Sequence, residues 1–316
     1  MTSKVFIDGG AGTTGLEIRE RLSGRAELAL LRLSDAERKN ARARREALNE
    51  ADVVILCLPD DAAREAVSMI ENPGTRVIDA STAHRVDPNW VYGFPELEPG
   101  QRGRIKSARH VSNPGCYATG FLALVRPLVR AGILPPDFPV TANAVSGYSG
   151  GGKAMIEEFE DRNSPAYVET VVRTYGLALA HKHVPEMQIH AGLSHPPLFA
   201  PSVGRFYRGM IVEVPLQLWS LPGKPAVATI HAALAEAYAK ENLIEVEDIR
   251  LGAMQKSLDA ELLKLTNGLK LFVFGNDKTQ QARLVAVLDN LGKGAGGAAV
   301  QNLNLMLGLP ETEGLL

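Results

Sequence analysis

Two short segments carry the residues best suited to making and breaking bonds. The first is Ser112-Asn113-Pro114-Gly115-Cys116-Tyr117-Ala118-Thr119-Gly120, which runs into the apolar Phe121-Leu122-Ala123-Leu124-Val125. Pro and Gly punctuate the chain ahead of that run, so a helix is predicted to begin near Cys116. A thiol at a helix N-terminus ionises readily because the helix dipole favours the thiolate, which is the nucleophilic form. Cys57, the other of two cysteines, lies inside the apolar run 53–58 and reads as inert packing. Pro127 inside the helical stretch predicts a kink or a restart there.

The second segment is His181-Lys182-His183-Val184-Pro185-Glu186, two imidazoles and a carboxylate in six residues. A thiolate nucleophile needs a proton partner. One of these histidines supplies acid–base chemistry, and Glu186 orients it or the substrate. On a strand, His181 and His183 would share a face, because side chains alternate with a period of two. His190, His195 and His231 lack such company and read as surface or core residues. No cysteine pair stands near the His-x-His, so no metal site is expected.

A third segment invites a wrong answer. Gly147-Tyr148-Ser149-Gly150-Gly151-Gly152-Lys153 has the spacing of a nucleotide-triphosphatase loop, but the next residue is Ala154. That loop needs a Ser or Thr hydroxyl there for Mg²⁺, so ATP hydrolysis is rejected. A flexible glycine loop with Lys153 still suits an anionic group such as an acyl phosphate or carboxylate.

These residues need a frame, and the first third of the chain supplies part of it as alternating strands and helices. Val5-Phe6-Ile7, residues 28–33, residues 53–58 and Arg76-Val77-Ile78-Asp79 read as strands. Residues 16–22 and 60–70 read as helices by their apolar spacing. The run 53–58 is apolar without alternation, as in a strand buried on both faces of a parallel sheet. The expected fold is therefore a doubly wound α/β sheet of the Rossmann type. Gly9-Gly10-Ala11-Gly12-Thr13-Thr14-Gly15 joins the first strand to the first helix, where such a sheet binds a dinucleotide. Gly9, Gly12 and Gly15 permit the turn, and Thr13 and Thr14 open the helix whose free N–H groups meet the phosphates.

The end of the second strand chooses the cofactor. Asp35 stands where an acidic residue would bind an NAD ribose. Arg38 and Lys39 crowd the same stretch and attract a 2′-phosphate, with Ser34 able to donate a hydrogen bond. The balance favours NADP. Arg42, Arg44 and Arg45 read as a solvated basic helix face. Leu58, Pro59, Ser81 and Asn290 are placed with the cofactor as well.

Composition narrows the rest. The 316 residues suggest about two domains. A net charge of −2 provides no general attraction to nucleic acid or to anionic membranes. The cysteine count excludes a disulfide scaffold and four-cysteine zinc folds. No apolar run spans a bilayer and no signal-peptide core is seen near Met1, so a cytoplasmic location is expected.

Taken together these motifs resemble the N-acetyl-gamma-glutamyl-phosphate reductase family, in its shorter type. Carrying the resemblance are the glycine cluster, Tyr92-Gly93-Phe94-Pro95-Glu96-Leu97, the Asn-Pro-Gly-Cys-Tyr string, the His-x-His-x-Pro-Glu string, and Asn290-Leu291-Gly292-Lys293-Gly294-Ala295 leading to Val300-Gln301-Asn302-Leu303-Asn304. The sequence departs at Gly10-Ala11, where Ala-Ser is commoner. The resemblance implies Cys116 as nucleophile, His181 as acid/base, His183 and Glu186 as active-site neighbours, and NADP as cofactor in arginine biosynthesis. Asn113 and Lys153 are added as substrate contacts. It further implies an NADP domain of residues 1–116 completed by a C-terminal helix from 293 to 316. Residues 117–292 then form an α+β catalytic and oligomerisation domain of the glyceraldehyde-3-phosphate/semialdehyde dehydrogenase type, in a homodimer or homotetramer. An aspartate-semialdehyde dehydrogenase-like reductase and a non-catalytic NADP-binding redox sensor stand as alternatives.

Overall fold

The computed structural model describes residues 2–34 and 36–315. Asp35 and the side chain of Lys39 lie outside the described residues. The chain folds as two compact units, and the first takes residues through Pro95, Pro99–Gly115 and the segment from Ala295 on.

Its six strands are β1 (Ser3–Asp8), β2 (Leu28–Leu31), β3 (Val53–Leu56), β4 (Arg76–Asp79), β5 (Val91–Tyr92) and β6 (His110–Ser112). All pair in parallel, in the order β2-β1-β3-β4-β6-β5. Every residue of β3 is buried, as its unbroken apolar sequence requires. Helices α1 (Thr13–Leu22), α2 (Ala41–Glu50), α3 (Asp60–Ser68) and α4 (Gln101–Ser107) connect the strands, and α10 (Gly297–Leu307) returns to pack beside α1 and α4. Helical chain starts near Lys293 as expected: residues 292–296 form one π-helical turn that runs directly into α10. Strand order reverses between β1 and β3, and the glycine turn follows β1 at that switch point.

The second unit holds Glu96–Glu98 and Cys116–Gly294. Its strands are β7 (Thr141–Gly147), β8 (Val172–Thr174), β9 (Leu198–Gly204), β10 (Met210–Gln217), β11 (Ile244–Val246), β12 (Leu269–Asn276) and β13 (Gln281–Leu288). They form one mixed sheet, β11-β12-β13-β10-β7-β9-β8. Helices α5 (Cys116–Arg130) and α8 (Val227–Tyr238) pack on it, with α6 (Gly152–Glu160), α7 (Val184–Ala191) and α9 (Ile249–Ala253) around them.

Helix α5 starts at Cys116 and runs through Pro127 without the expected restart. Proline removes one N–H, which strands the carbonyl four residues earlier. That carbonyl belongs to Ala123, and the Tyr238 hydroxyl donates to it at 2.9 Å. The helix continues because a side chain from α8 replaces the missing donor.

Candidate active site

In the first unit the β1–α1 turn is packed closely against its neighbours. Gly9 has φ +80°, and a Cβ on it would stand 2.2 Å from the Cys57 carbonyl oxygen, so only glycine fits. Gly15 packs α1 onto the turn, since a Cβ there would meet Gly10 Cα at 2.6 Å. Gly12 caps α1 and would meet only Gly9 O, at 3.5 Å. The Thr13 hydroxyl is buried with no hydrogen-bond partner among the described residues. A helix N-terminus with an unused hydroxyl and an unfilled Cβ position fits a dinucleotide pyrophosphate. Thr14 follows in the first turn of α1.

The other cofactor residues divide. Leu58 lies against the turn, 3.1 Å from where a Gly9 Cβ would be, and Pro59 caps α3. A cavity of about 210 Å³ is walled by Gly9, Gly10, Arg19, Arg32, Leu33 and Arg38, with Asp8 at its edge. Ser34 and Glu37 bond reciprocally, N–H to carboxylate at 2.8 Å and N–H to hydroxyl at 3.3 Å, which starts the turn that carries Arg38. The Ser81 hydroxyl donates to buried Asp79 at 2.7 Å, and His84 contacts the same carboxylate at 2.6 Å. Arg44 corrects the expectation of a solvated basic face. It is mostly buried and bonds Asp8 at 2.6 Å and Glu65 at 3.2 Å, whereas Arg42 is exposed beside Glu46.

Asn113 is buried, donates to Ala295 O at 3.0 Å and accepts from Asn302 at 3.1 Å; Asn302 also donates to Gly93 O at 2.9 Å. Residues from three sequence motifs thus close one clasp. The Asn113 amide therefore makes two of its hydrogen bonds inside the protein.

In the second unit Cys116 occupies the first position of α5 and is half-buried. His181 and His183 do not lie on a strand. They sit in the turn into α7, where Pro185 with its fixed φ favours a helical first turn, and His183 is the N-cap. The rings still meet, edge to face at 4.7 Å between centroids. The His183 backbone N–H donates to His181 Nδ1 at 3.1 Å, so neutral His181 carries its proton on Nε2. Glu186 is buried with a carboxylate oxygen 3.9 Å from His183 Nε2.

Tyr117, the neighbour of Cys116, packs at 5.9 Å from His181 and 5.8 Å from His183. This places the histidine pair at the start of α5. Tyr175 donates to the Tyr117 hydroxyl at 3.0 Å, and Tyr117 donates to Ser202 O at 3.2 Å. Burial pushes the Tyr175 phenol up to about 12 and raises Tyr117 as well, so both stay protonated near neutrality. Phe199 completes the His181 cage at 5.1 Å. Sequence reasoning missed Tyr175 and Phe199, since nothing local marks either one.

Behind Cys116 stands Gly294, where a Cβ would come within 2.8 Å of Cys116 Cβ. Buried Asp289 fixes that approach by accepting from Arg208 Nε at 2.7 Å and from the N–H groups of Leu291 at 2.8 Å and Gly292 at 3.2 Å. The segment carrying Lys153 is not a flexible loop. Residues 148–151 form a tight turn whose N–H groups bond Phe206 O at 3.0 Å and Tyr207 O at 3.0 Å. Asn290 is buried in the same unit. It donates to Ser149 Oγ at 2.9 Å and accepts from Gly209 N at 2.7 Å, so its amide fastens this turn. Lys153 itself is exposed in the first turn of α6.

Residues 4–105 match the semialdehyde dehydrogenase NAD binding domain, and residues 116–290 match the semialdehyde dehydrogenase dimerisation domain. A protein of Brucella ovis named N-acetyl-gamma-glutamyl-phosphate reductase is 57% identical over 98% of this chain and 100% of its own length. The same figures hold for the protein of that name from Brucella suis. This chain belongs to the N-acetyl-gamma-glutamyl-phosphate reductase family. The fold of this family member is shared more widely. Aspartate semialdehyde dehydrogenase II of Vibrio cholerae superposes with a TM-score of 0.73 at 16% identity, covering 97% of this chain and 98% of its own. Aspartate semialdehyde dehydrogenase of Candida albicans, solved with NADP, gives 0.64 at 14% identity over 97% and 99% of the two chains. Among the described residues no group of His, Cys, Asp and Glu is arranged to hold a metal, and no helix is long and apolar enough to cross a membrane.

Proposed function

We propose that the chain reduces N-acetyl-glutamyl 5-phosphate to N-acetyl-glutamate 5-semialdehyde and phosphate, reversibly, with NADPH, as a step of arginine biosynthesis. The observation that carries this reading is a half-buried thiol at the first position of α5, beside a histidine pair in which a backbone N–H sets the tautomer of His181.

In the synthetic direction the Cys116 thiolate attacks the acyl phosphate carbonyl, the carbon–oxygen bond to phosphate breaks, and a thioester forms. NADPH, when bound, supplies the hydride that takes the thioester to a hemithioacetal. His181 protonates the developing oxyanion from Nε2, and in the reverse direction removes that proton. The backbone N–H of Cys116, in the first turn of α5, stabilises the same oxyanion. His181 Nε2 takes the hydroxyl proton back as the carbon–sulfur bond breaks, which releases the aldehyde and restores the Cys116 thiolate. His183 orients His181 through its backbone N–H, Glu186 holds His183, and Lys153 offers a cation to the substrate's anionic groups.

The β1–α1 turn with Gly9, Gly12, Thr13, Thr14 and Gly15 holds the cofactor pyrophosphate. Arg38 and Ser34 take the 2′-phosphate, and Leu58, Pro59 and Ser81 line the sheet end toward the rest of the dinucleotide. Residues 116–290 serve a homo-oligomer, dimer or tetramer, in the cytoplasm.

The deciding assay is phosphate-dependent reduction of NADP⁺ with N-acetylglutamate semialdehyde, run beside aspartate semialdehyde. Turnover of the acetylated substrate alone supports the proposal; preference for the aspartyl compound overturns the substrate. Cys116→Ser is expected to abolish turnover while keeping NADP affinity, and NADP binding with no turnover in the unaltered protein would leave a sensor.

A further inference from the structure

We propose that Arg19, seated over Gly10, grips the cofactor's 2′-phosphate, and that position 10 is glycine to leave the guanidinium that seat. The inference rests on the NADP reading above and extends it to residues outside the β2 end.

Gly10 is not among the glycines with positive φ, so its backbone conformation is open to any residue. The nearest group a side chain would meet is Arg19, with the Ile7 carbonyl oxygen next at 3.3 Å. A Cβ at position 10 would stand 2.6 Å from Arg19 Nη2 and 3.5 Å from its Cζ. Long side chains on a helix fold back toward its N-terminus, and from the middle of α1 this brings the Arg19 guanidinium onto the β1–α1 turn. There it joins Arg32 and Arg38 around the cavity of about 210 Å³.

Arg19 of α1 and, from the chain after β2, Arg32 and Arg38 thus line one space. Neighbouring arginines are neutralised: Arg21 bonds Glu17 at 2.8 Å on the same helix, and Arg44 bonds Asp8 at 2.6 Å. Arg19 and Arg32 make no ion pair with any described residue. Among the described residues that line the cavity the one carboxylate, Asp8, is the partner of Arg44. Converging like charges repel, and a ribose hydroxyl does not offset them. A phosphate dianion does, and its oxygens match the guanidinium fork. The pyrophosphate belongs at the α1 N-terminus, which leaves the 2′-phosphate for this cavity.

Isothermal titration of the intact protein with NADPH, NADH, 2′,5′-ADP and 5′-AMP tests the assignment. Arg19→Met is expected to weaken NADPH and 2′,5′-ADP by about 10- to 100-fold, as for loss of one charge-assisted pair. NADH and 5′-AMP should stay within about twofold, since neither carries the group that Arg19 meets. Gly10→Ala should give a smaller loss with the same selectivity, because its Cβ displaces the guanidinium without removing it. If Arg19→Met folds poorly, Gly10→Ala alone carries the test. Equal loss for NADPH and NADH, or no loss for either, overturns the role of Arg19 and leaves the NADP reading standing. Unaltered protein that binds NADPH no more tightly than NADH overturns that reading, and the proposal with it.

Discussion

Lys293 Nζ lies 2.8 and 2.9 Å from the two carboxylate oxygens of Glu96, and both side chains are closed off from water. The residues are 197 positions apart in the chain. Lys293 precedes Gly294, the residue pressed against Cys116, so this ion pair anchors the backbone behind the proposed nucleophile. Removing one member takes the buried counter-charge from the other. Lys293→Met or Glu96→Gln should each cost about 3–5 kcal/mol in urea unfolding. The double variant Lys293→Met with Glu96→Leu should cost far less. Equal costs for single and double variants would mean that packing, not charge, is what the site requires.

The two cysteines should react differently. Burial, and then the charges of Asp79 and Asp8, push the Cys57 thiol up to about 12. Iodoacetamide near pH 7.5 is expected to modify Cys116 and spare Cys57, read by peptide mass spectrometry. The shift also sets a sign for stability. A folded-state pKa above the ordinary thiol value of 9.0 means that the folded protein holds its proton longer. That contribution is fully present below about pH 9 and is lost as pH rises toward 12. Cys57→Ala should flatten this alkaline decline in unfolding free energy.

His181 is held by a backbone donor at Nδ1. His181→Asn should lower kcat by about 10²- to 10⁴-fold, the usual range for a lost general acid. The KM for the acyl phosphate should change much less. An unchanged kcat would move the acid/base role to His183.

Tyr238 and Pro127 form a testable couple through the Ala123 carbonyl. Tyr238→Phe strands that carbonyl in the interior and should destabilise by about 1–3 kcal/mol. Pro127→Ala restores an N–H four residues after Ala123, so it should recover part of the loss in the Tyr238→Phe background. Strict additivity in a double-mutant cycle would disprove the coupling.

The sequence by itself determined those parts that depend on local chemistry. Apolar runs without alternation specify buried parallel strands, and β4 falls on Arg76–Asp79 as read. The Pro-Gly pair specifies the start of α5 at Cys116. Glycines at the β1–α1 turn mark a dinucleotide site because a Cβ there meets backbone that cannot yield.

Tertiary structure decided which distant groups meet. Glu96 finds Lys293, Asn302 finds Gly93 and Asn113, and Tyr238 finds Ala123. No periodicity encodes such pairs, because each partner satisfies a buried polar group whose location follows only from how sheets and helices stack. The same holds for the charges of α2. Arg42, Arg44 and Arg45 look alike in sequence, yet the helix's rotation turns Arg44 inward to Asp8 and leaves Arg42 in water. Even the histidine pair needed the fold. Its rings meet through a turn into α7, not by strand alternation, because Pro185 begins a helix where two-residue spacing alone suggests a strand.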